Sequence, residues 1–175
     1  MPPINVGIVG LSKEGWALAL VGPLLGVPLS DKYTLTALST RSPESASESA
    51  KKYSELTKRE VKPYYGDTSQ IAKDKDVDFV VVAVRAPSHI QAALPVIEAG
   101  KNIFIEWPCG GSLRLAKQLL DATERKGVRS MVGLQGTQSP VVMKVGGIHT
   151  VKKWTEKYLV GERVGIFGQD WTCAV

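Results

Sequence analysis

The sequence lacks the features that mark membrane-spanning, secreted and metal-binding proteins. No apolar run in its 175 residues is long enough to cross a bilayer, and the first residues lack the basic flank and unbroken apolar core of a signal peptide. Cys109 and Cys173 are too few for a disulfide framework and have no partner at metal-ligand spacing. These absences predict a cytoplasmic chain with free thiols, no bound metal and no membrane contact.

Long runs of like charge are also missing. The net charge of +5 comes from Lys and Arg residues spread through the chain, with only doublets of adjacent basic residues. Nucleic-acid-binding proteins concentrate basic residues on one face, so this spread predicts a solvated basic surface without a nucleic-acid partner. With 43% hydrophobic and 22% charged residues, the length allows one globular domain, or one domain and a fragment of another.

Short apolar runs alternate with helical patterns along most of the chain. The strand-like runs cover residues 4–10, 33–39, 61–65, 78–84, 102–106 and 129–134, and the helical patterns start near Lys13 and cover 43–56, 87–99 and 112–126. This alternation predicts an α/β fold in which a doubly wound parallel sheet is covered by helices on both faces. Four valines make 78–84 the predicted central strand, and Pro63 predicts that 61–65 lies at an edge.

Capping residues predict where three of the helices begin or end. Ser42 is a candidate N-cap with Pro43 at the first helical position, and Ser112 is a second N-cap. Gly100 and Gly127 follow the last residues of two helical patterns, as glycines that end helices do.

Beyond Gly136 the alternation changes. Apolar residues recur at helical spacing over 148–159, and RVGIFGQDW at 163–171 predicts one more strand. That strand has no sheet to join unless it pairs with the first strand or with another molecule, so the sequence predicts a homo-oligomer.

A glycine-containing loop follows the first strand. Residues 10–16 read G-L-S-K-E-G-W, a GxSxxG loop where dinucleotide-binding folds carry GxGxxG. Gly10 would make the tight turn, Ser12 stands where a second glycine admits the pyrophosphate, and Gly15 would allow close helix packing. With the N-terminus of the following helix and Trp16, these residues predict a pyrophosphate site; the alternative is a turn that needs glycine for its backbone alone.

The end of the second strand carries the next signal. An NAD site has Asp or Glu here for the ribose 2′-hydroxyl, but this chain reads Ser39, Thr40 and Arg41, with no acid before Glu44. Hydroxyls and a guanidinium would bind a 2′-phosphate that a carboxylate would repel, so NADP is predicted over NAD. The alternative for Arg41 is a solvated loop charge.

Several linked segments resemble the glucose–fructose oxidoreductase and inositol dehydrogenase family, especially its fungal branch similar to the galactose-pathway repressor. They are GIVGLS, ALSTRSPESA, YYGD, the stretch from VDFVVV to FIEWP, and MVGLQGTQSP, and they span about residues 4 to 145. The resemblance implies a Rossmann-like dinucleotide-binding domain over 1–140, while 141–175 resemble a helix-and-strand remnant of a second domain, against whose sheet the substrate sits.

The resemblance also implies a change in the catalytic signature, which in the family is Glu-Lys-Pro. Glu106, Trp107 and Pro108 stand at the matching positions, and tryptophan neither transfers a proton nor supplies a cation. In the repressor-like branch the lysine is absent too, and the domain binds the dinucleotide as a signal. Lysine-dependent dehydrogenase activity is therefore not expected, which leaves Glu106 and His89 as weak catalytic candidates.

Other candidate ligand-binding residues follow the fourth strand. Ligands gather at the carboxyl ends of parallel strands, so Val84, Arg85 and Pro87 are predicted to line the cofactor site, with Arg85 binding a phosphate or forming a salt bridge instead. By resemblance, His89 lies beside the nicotinamide; the alternatives are a helix cap or a solvent-facing ring. Trp107 is interpreted either as a stacking platform for the cofactor or as a core residue.

Together these patterns predict an NAD(P)-binding protein that regulates or senses through a small-molecule ligand or a protein partner. NADP is the expected cofactor, NAD the second choice, and loss of cofactor binding remains open. An alternative is an enzyme, either an NADP-dependent oxidoreductase with another proton donor or an isomerase or cyclase acting on an apolar metabolite. A folded fragment without the ancestral activity is the third possibility.

Overall fold

The computed structural model describes residues 2–25 and 29–134. For residues 23–25 it describes the backbone alone. The strands are β1 (Ile4–Val9), β2 (Tyr33–Thr40), β3 (Lys62–Tyr65), β4 (Phe79–Val82), β5 (Asn102–Glu106) and β6 (Ser130–Gly133). The helices are α1 (Ala17–Leu25), α2 (Pro43–Thr57), α3 (Ser69–Lys73), α4 (His89–Glu98) and α5 (Leu113–Lys126). Among these helices none is long and apolar enough to span a bilayer. The helix and strand predicted within 141–175 lie outside the described residues.

All six strands are parallel and lie in the order β3-β2-β1-β4-β5-β6. The predicted doubly wound sheet is therefore confirmed. The valine-rich β4 lies between β1 and β5, and β3 is an edge strand, where the missing N–H of Pro63 is tolerated. Chain order reverses between β1 and β4, which opens a crevice at the carboxyl ends of these two strands.

Apolar side chains cover both faces of the sheet. On one face, α1 and α2 contribute Val21 and the fully buried Tyr53 to a core that includes Leu38 of β2. On the other, α3, α4 and α5 form a second core with the sheet, in which Ile97 and Leu119 are completely buried. Parallel strands buried on both faces need apolar residues at nearly every position, which is the pattern of the sequence.

The predicted helix caps are present. The Ser42 hydroxyl accepts a hydrogen bond from the Ser45 amide at 3.3 Å, and the Ser112 hydroxyl accepts one from the Leu115 amide at 3.3 Å. α5 ends at Gly127, whose φ of +63° is a left-handed conformation that favours glycine. These local signals fix the ends of the helices that cover the sheet.

Two elements differ from the sequence-based prediction. α1 begins at Ala17 rather than near Lys13, because Gly15 has a φ of +141°, which no helical residue adopts. The short α3 was not predicted, since five residues are too few to show a helical period. The late start of α1 leaves residues 11–16 as a loop between β1 and α1.

An ionic network joins the edge strand to the connection before β4. Lys62 donates to both carboxylate oxygens of Asp74 at 3.1 Å and to Asp76 at 2.5 Å, and the Tyr64 hydroxyl donates to Asp74 at 2.9 Å. Burial of Asp74 raises its pKa, but the hydrogen bonds from the Asp76 amide, Lys62 and Tyr64 outweigh this and lower it overall. The side chain of Asp74 is only 6% exposed, so this carboxylate is the centre of the network.

Replacing Asp74 by Asn is expected to lower the free energy of unfolding at pH 7 by about 1–3 kcal/mol, because the half-buried donors Lys62 and Tyr64 lose a charged acceptor. The folded-state pKa of Asp74 is lowered, so its contribution is present above the unfolded value of about 4 and is lost as the pH falls through the folded value. Urea denaturation at pH 7 and at decreasing pH should show the wild-type and D74N curves converging below about pH 4.

Asp76→Asn is the matched control, since the side chain of Asp76 is 68% exposed and its ion pair with Lys62 is screened by solvent. A D76N protein as unstable as D74N, or a D74N deficit that does not change with pH, would contradict this account of the network.

Candidate functional site

The turn after β1 brings the ends of three strands together. Gly10 has a φ of +95°, and a Cβ placed on it would lie 2.3 Å from the carbonyl oxygen of Ala83, just beyond β4. Its amide donates to the carbonyl oxygen of Ser39 in β2 at 2.8 Å. Only a residue without a side chain can make this turn. At Gly10 the carboxyl ends of β1, β2 and β4 therefore lie close together.

The loop from Leu11 to Trp16 rises from this turn. Leu11 is fully buried beneath it, and the Ser12 amide donates back to the Gly10 carbonyl at 3.0 Å. The Ser12 hydroxyl donates to the carbonyl of Glu14, inside the loop. Serine at the second position of the glycine pattern therefore holds the loop together, while residues 13–15 are exposed to solvent.

The end of β2 presents one cation. Ser39 and Thr40 are 1% and 8% exposed, and the Thr40 hydroxyl donates to the carbonyl of Ser42 at 3.1 Å. Arg41 is exposed, and its guanidinium forms no ion pair or hydrogen bond with any residue that the structure describes. Of the three residues predicted here, Arg41 is the one whose side chain is directed to solvent.

A hydrogen bond between distant residues crosses the crevice to the end of β5. The indole N–H of Trp16, at the start of α1, donates to the Glu106 carboxylate at 3.0 Å. Glu106 is 8% exposed, whereas Trp16 and Trp107 are 64% and 59% exposed. The core-packing interpretation of Trp107 is therefore not what the structure shows. The buried carboxylate of Glu106 is therefore bound by an exposed tryptophan, and a second exposed tryptophan follows it in the chain.

His89 connects the loops that follow β4 and β5. Its ring is 1% exposed, with Nδ1 2.7 Å from the carbonyl oxygen of Pro108 and Nε2 2.8 Å from that of Val84. The ring therefore does not face solvent; it lies beneath the site and fixes the two loops relative to each other. Arg85 and Pro87, above it, are exposed, and Arg85 forms no ion pair among the described residues.

Two residues of α2 that the sequence analysis missed contact the glycine loop. The Tyr53 hydroxyl donates to the Ser12 carbonyl at 3.3 Å, and the Lys52 ammonium donates to the Lys13 carbonyl at 2.7 Å. Burial raises the pKa of the Tyr53 hydroxyl, so it is a donor at neutral pH. Helical spacing from the buried residues Ala46, Ser49 and Ala50 would have placed Tyr53 on the face of α2 toward the sheet, but not at this loop.

The described residues fit a dinucleotide better than a metal ion. No group of three or more His, Cys, Asp or Glu side chains within 2–25 and 29–134 is arranged to hold a metal. The exposed loop at 13–15 instead offers backbone N–H groups, and Arg41, which forms no ion pair among the described residues, offers a cation; these are the groups that bind phosphates. The structure thus brings the predicted residues of β1, β2, β4 and β5 to one edge of the sheet.

Comparisons with known proteins agree with this geometry. Residues 4–134 match the family model described as oxidoreductase family, NAD-binding Rossmann fold. The chain is 37% identical to dehydrogenase aclE of Aspergillus oryzae, over 81% of this chain and 38% of that protein. It is 29% identical to the galactose/lactose metabolism regulatory protein GAL80 of Saccharomyces cerevisiae, over 81% of this chain and 33% of the relative. The chain thus spans between about a third and two fifths of the length of these curated relatives.

A solved structure shows the same likeness. The crystal structure of a super-repressor mutant of Gal80p from Saccharomyces cerevisiae superimposes with a TM-score of 0.70 at 28% sequence identity. The match covers 81% of this chain and 37% of the other. The likeness therefore concerns little more than a third of the Gal80p chain.

Replacing Gly10 by Ala should destabilise the fold, since the positive φ alone costs about 1–3 kcal/mol for a residue with a side chain, before the clash with the Ala83 carbonyl is counted. Gly111→Ala is the matched control, because Gly111 has no positive φ and its added Cβ would meet no atom within 4 Å outside its chain neighbours. Thermal unfolding of both variants would disprove the packing argument if G10A melted at or above the temperature of G111A.

Proposed function

Because the chain belongs to the oxidoreductase family with an NAD-binding Rossmann fold, we propose that it binds NADP in the crevice at the carboxyl ends of β1, β2 and β4. The observation that carries this proposal is the turn at Gly10, which has no room for a Cβ and places the glycine loop against the β2 corner. An approach of backbone to phosphate without intervening side chains needs such a turn.

The preference for NADP rests on the charges at the end of β2. Arg41 is exposed and unpaired among the described residues, and the nearest acid along the chain, Glu44, lies in the first turn of α2. A guanidinium binds a phosphate through two parallel hydrogen bonds, which the ribose hydroxyl of NAD does not match. Ser39 and Thr40 are buried, so they support this corner while Arg41 supplies the charge.

The proposed role is binding rather than turnover. Trp107 stands where the resemblance implies the catalytic lysine, and its exposed indole offers a stacking surface but no proton to transfer. We propose that the bound nucleotide regulates the interaction with a protein partner or small molecule, a role in keeping with the similarity to a metabolic regulatory protein. Self-association and a second-domain remnant over 141–175 belong to the same proposal.

A second candidate function is catalysis with a different proton donor. The similarity to a dehydrogenase favours it, and Glu106, which accepts a hydrogen bond from the indole of Trp16, is the carboxylate next to the position of the family's lysine. A reductase of this kind, or an isomerase or cyclase for an apolar metabolite, would need Glu106 to exchange protons with the substrate.

The nucleotide proposal predicts that the protein binds NADPH more tightly than NADH and that Arg41→Ala removes this difference. Loss of a charge-assisted contact to the 2′-phosphate should weaken NADPH binding about tenfold to a hundredfold and leave NADH binding unchanged. Calorimetric titration measures both affinities, and quenching of the exposed Trp16 and Trp107 gives an independent signal.

Arg59→Ala serves as the control, because Arg59 is exposed in the connection between α2 and β3, near the amino ends of the strands. Absence of binding by the wild-type protein at millimolar NADPH and NADH would refute nucleotide binding. An equal effect of R41A on both nucleotides would refute the role of Arg41 in choosing NADP.

Turnover is tested separately. With a panel of polyols and sugars, the wild-type protein is expected to change the absorbance of NADPH or NADP no faster than the Glu106→Gln variant, since no lysine is available at the end of β5. Substrate-dependent turnover that E106Q abolishes would replace the binding role by the enzymatic one.

A further inference from the structure

Helix α2 holds the glycine loop by two backbone carbonyls. The Lys52 ammonium contacts the Lys13 carbonyl and the Tyr53 hydroxyl contacts the Ser12 carbonyl, at 2.7 and 3.3 Å. The ammonium also lies 5.4 Å from the centre of the Tyr53 ring, a cation–π distance that keeps the two side chains together. Tyr53 is fully buried, so its hydroxyl has little freedom to turn elsewhere.

Because the peptide bond is planar, these two contacts also determine the direction of the neighbouring N–H groups of the loop. In a trans peptide the C=O and the following N–H point in opposite directions. With the carbonyls of Ser12 and Lys13 directed at α2, the amides of Lys13 and Glu14 are directed away from it. Neither amide has an acceptor among the described residues, and both residues are exposed. Two adjacent N–H groups that point to solvent form a site for an anion.

We propose that Lys52 and Tyr53 are positioning residues for a pyrophosphate: they hold the Ser12 and Lys13 peptides so that the amides of Lys13 and Glu14 face the ligand. The inference rests on the proposed binding of a dinucleotide. Neither side chain touches the nucleotide; each acts through a peptide of the loop. Serine in place of the second glycine is accommodated because its hydroxyl is bound to the Glu14 carbonyl, within the same loop.

A positioning role has a signature that separates it from recognition of the 2′-phosphate. The pyrophosphate is common to NADPH and NADH, so a loop that loses its support binds both nucleotides more weakly by the same factor. A side chain that contacts the 2′-phosphate affects NADPH alone. The ratio of the two affinities therefore distinguishes Lys52 from Arg41.

The experiment compares Lys52→Ala, Tyr53→Phe and the control Lys51→Ala. Lys51 is the adjacent exposed lysine of α2 and makes no contact with the loop. Affinities for NADPH and NADH are measured by calorimetry, and folding is checked by the melting temperature of each variant. K52A and Y53F should each weaken both nucleotides about threefold to tenfold with an unchanged affinity ratio, as expected for one lost hydrogen bond, while K51A stays at the wild-type value.

The outcomes separate this inference from the proposed function. If the wild-type protein binds neither nucleotide, both proposals fail. If it binds and K52A and Y53F match K51A, only the positioning role fails. Loss of NADPH affinity alone in K52A would show direct contact with the 2′-phosphate and overturn it.

If a variant melts early, Lys52→Arg, which keeps the donor and the charge, provides the second test. K52R should restore binding of both nucleotides relative to K52A, and failure to do so in a folded protein would overturn the inference.

Discussion

The site depends on one close approach, in which the backbone of Gly10 lies against the Ala83 carbonyl and donates to the Ser39 carbonyl. A parallel sheet buries its strands on both faces, so the chain must leave at the strand ends, and ligands bind there. Any side chain at this turn would separate β1 from β4. The glycine loop lies beside the end of β2 because the Gly10 amide reaches the Ser39 carbonyl.

The fold was predictable because its signals are local. Four valines marked the central strand, Pro63 marked an edge, and Ser42 and Ser112 marked helix starts, each through chemistry within a few residues. The family model and the sheet order confirm the fold and the family inferred from linked motifs. The start of α1 was wrong because an apolar period does not reveal the positive φ of Gly15.

The contacts of the site were not predictable to the same extent, because their partners are distant or are backbone atoms. Trp16 and Glu106 are 90 residues apart. His89 faces the carbonyls of Val84 and Pro108, and α2 contacts loop carbonyls. Every residue has a backbone carbonyl, so the residue types in the sequence do not indicate which carbonyl will accept a hydrogen bond. The sequence could name the residue types at the strand ends, but their orientations depend on packing between elements.

The two ends of the sheet have different electrostatic arrangements. At the amino ends of the strands, Lys62 forms ion pairs with Asp74 and Asp76. The Asp74 carboxylate is buried, and its hydrogen bonds stabilise the folded state. At the carboxyl ends, Arg41 and Arg85 are exposed without ion pairs among the described residues, while Glu106 accepts from an indole. These two exposed cations are the groups to which the proposed anionic ligand would bind. In the proposed function this end of the sheet binds a phosphorylated nucleotide, and the tryptophan that stands in place of the family's lysine offers no proton to a substrate, which favours binding over turnover.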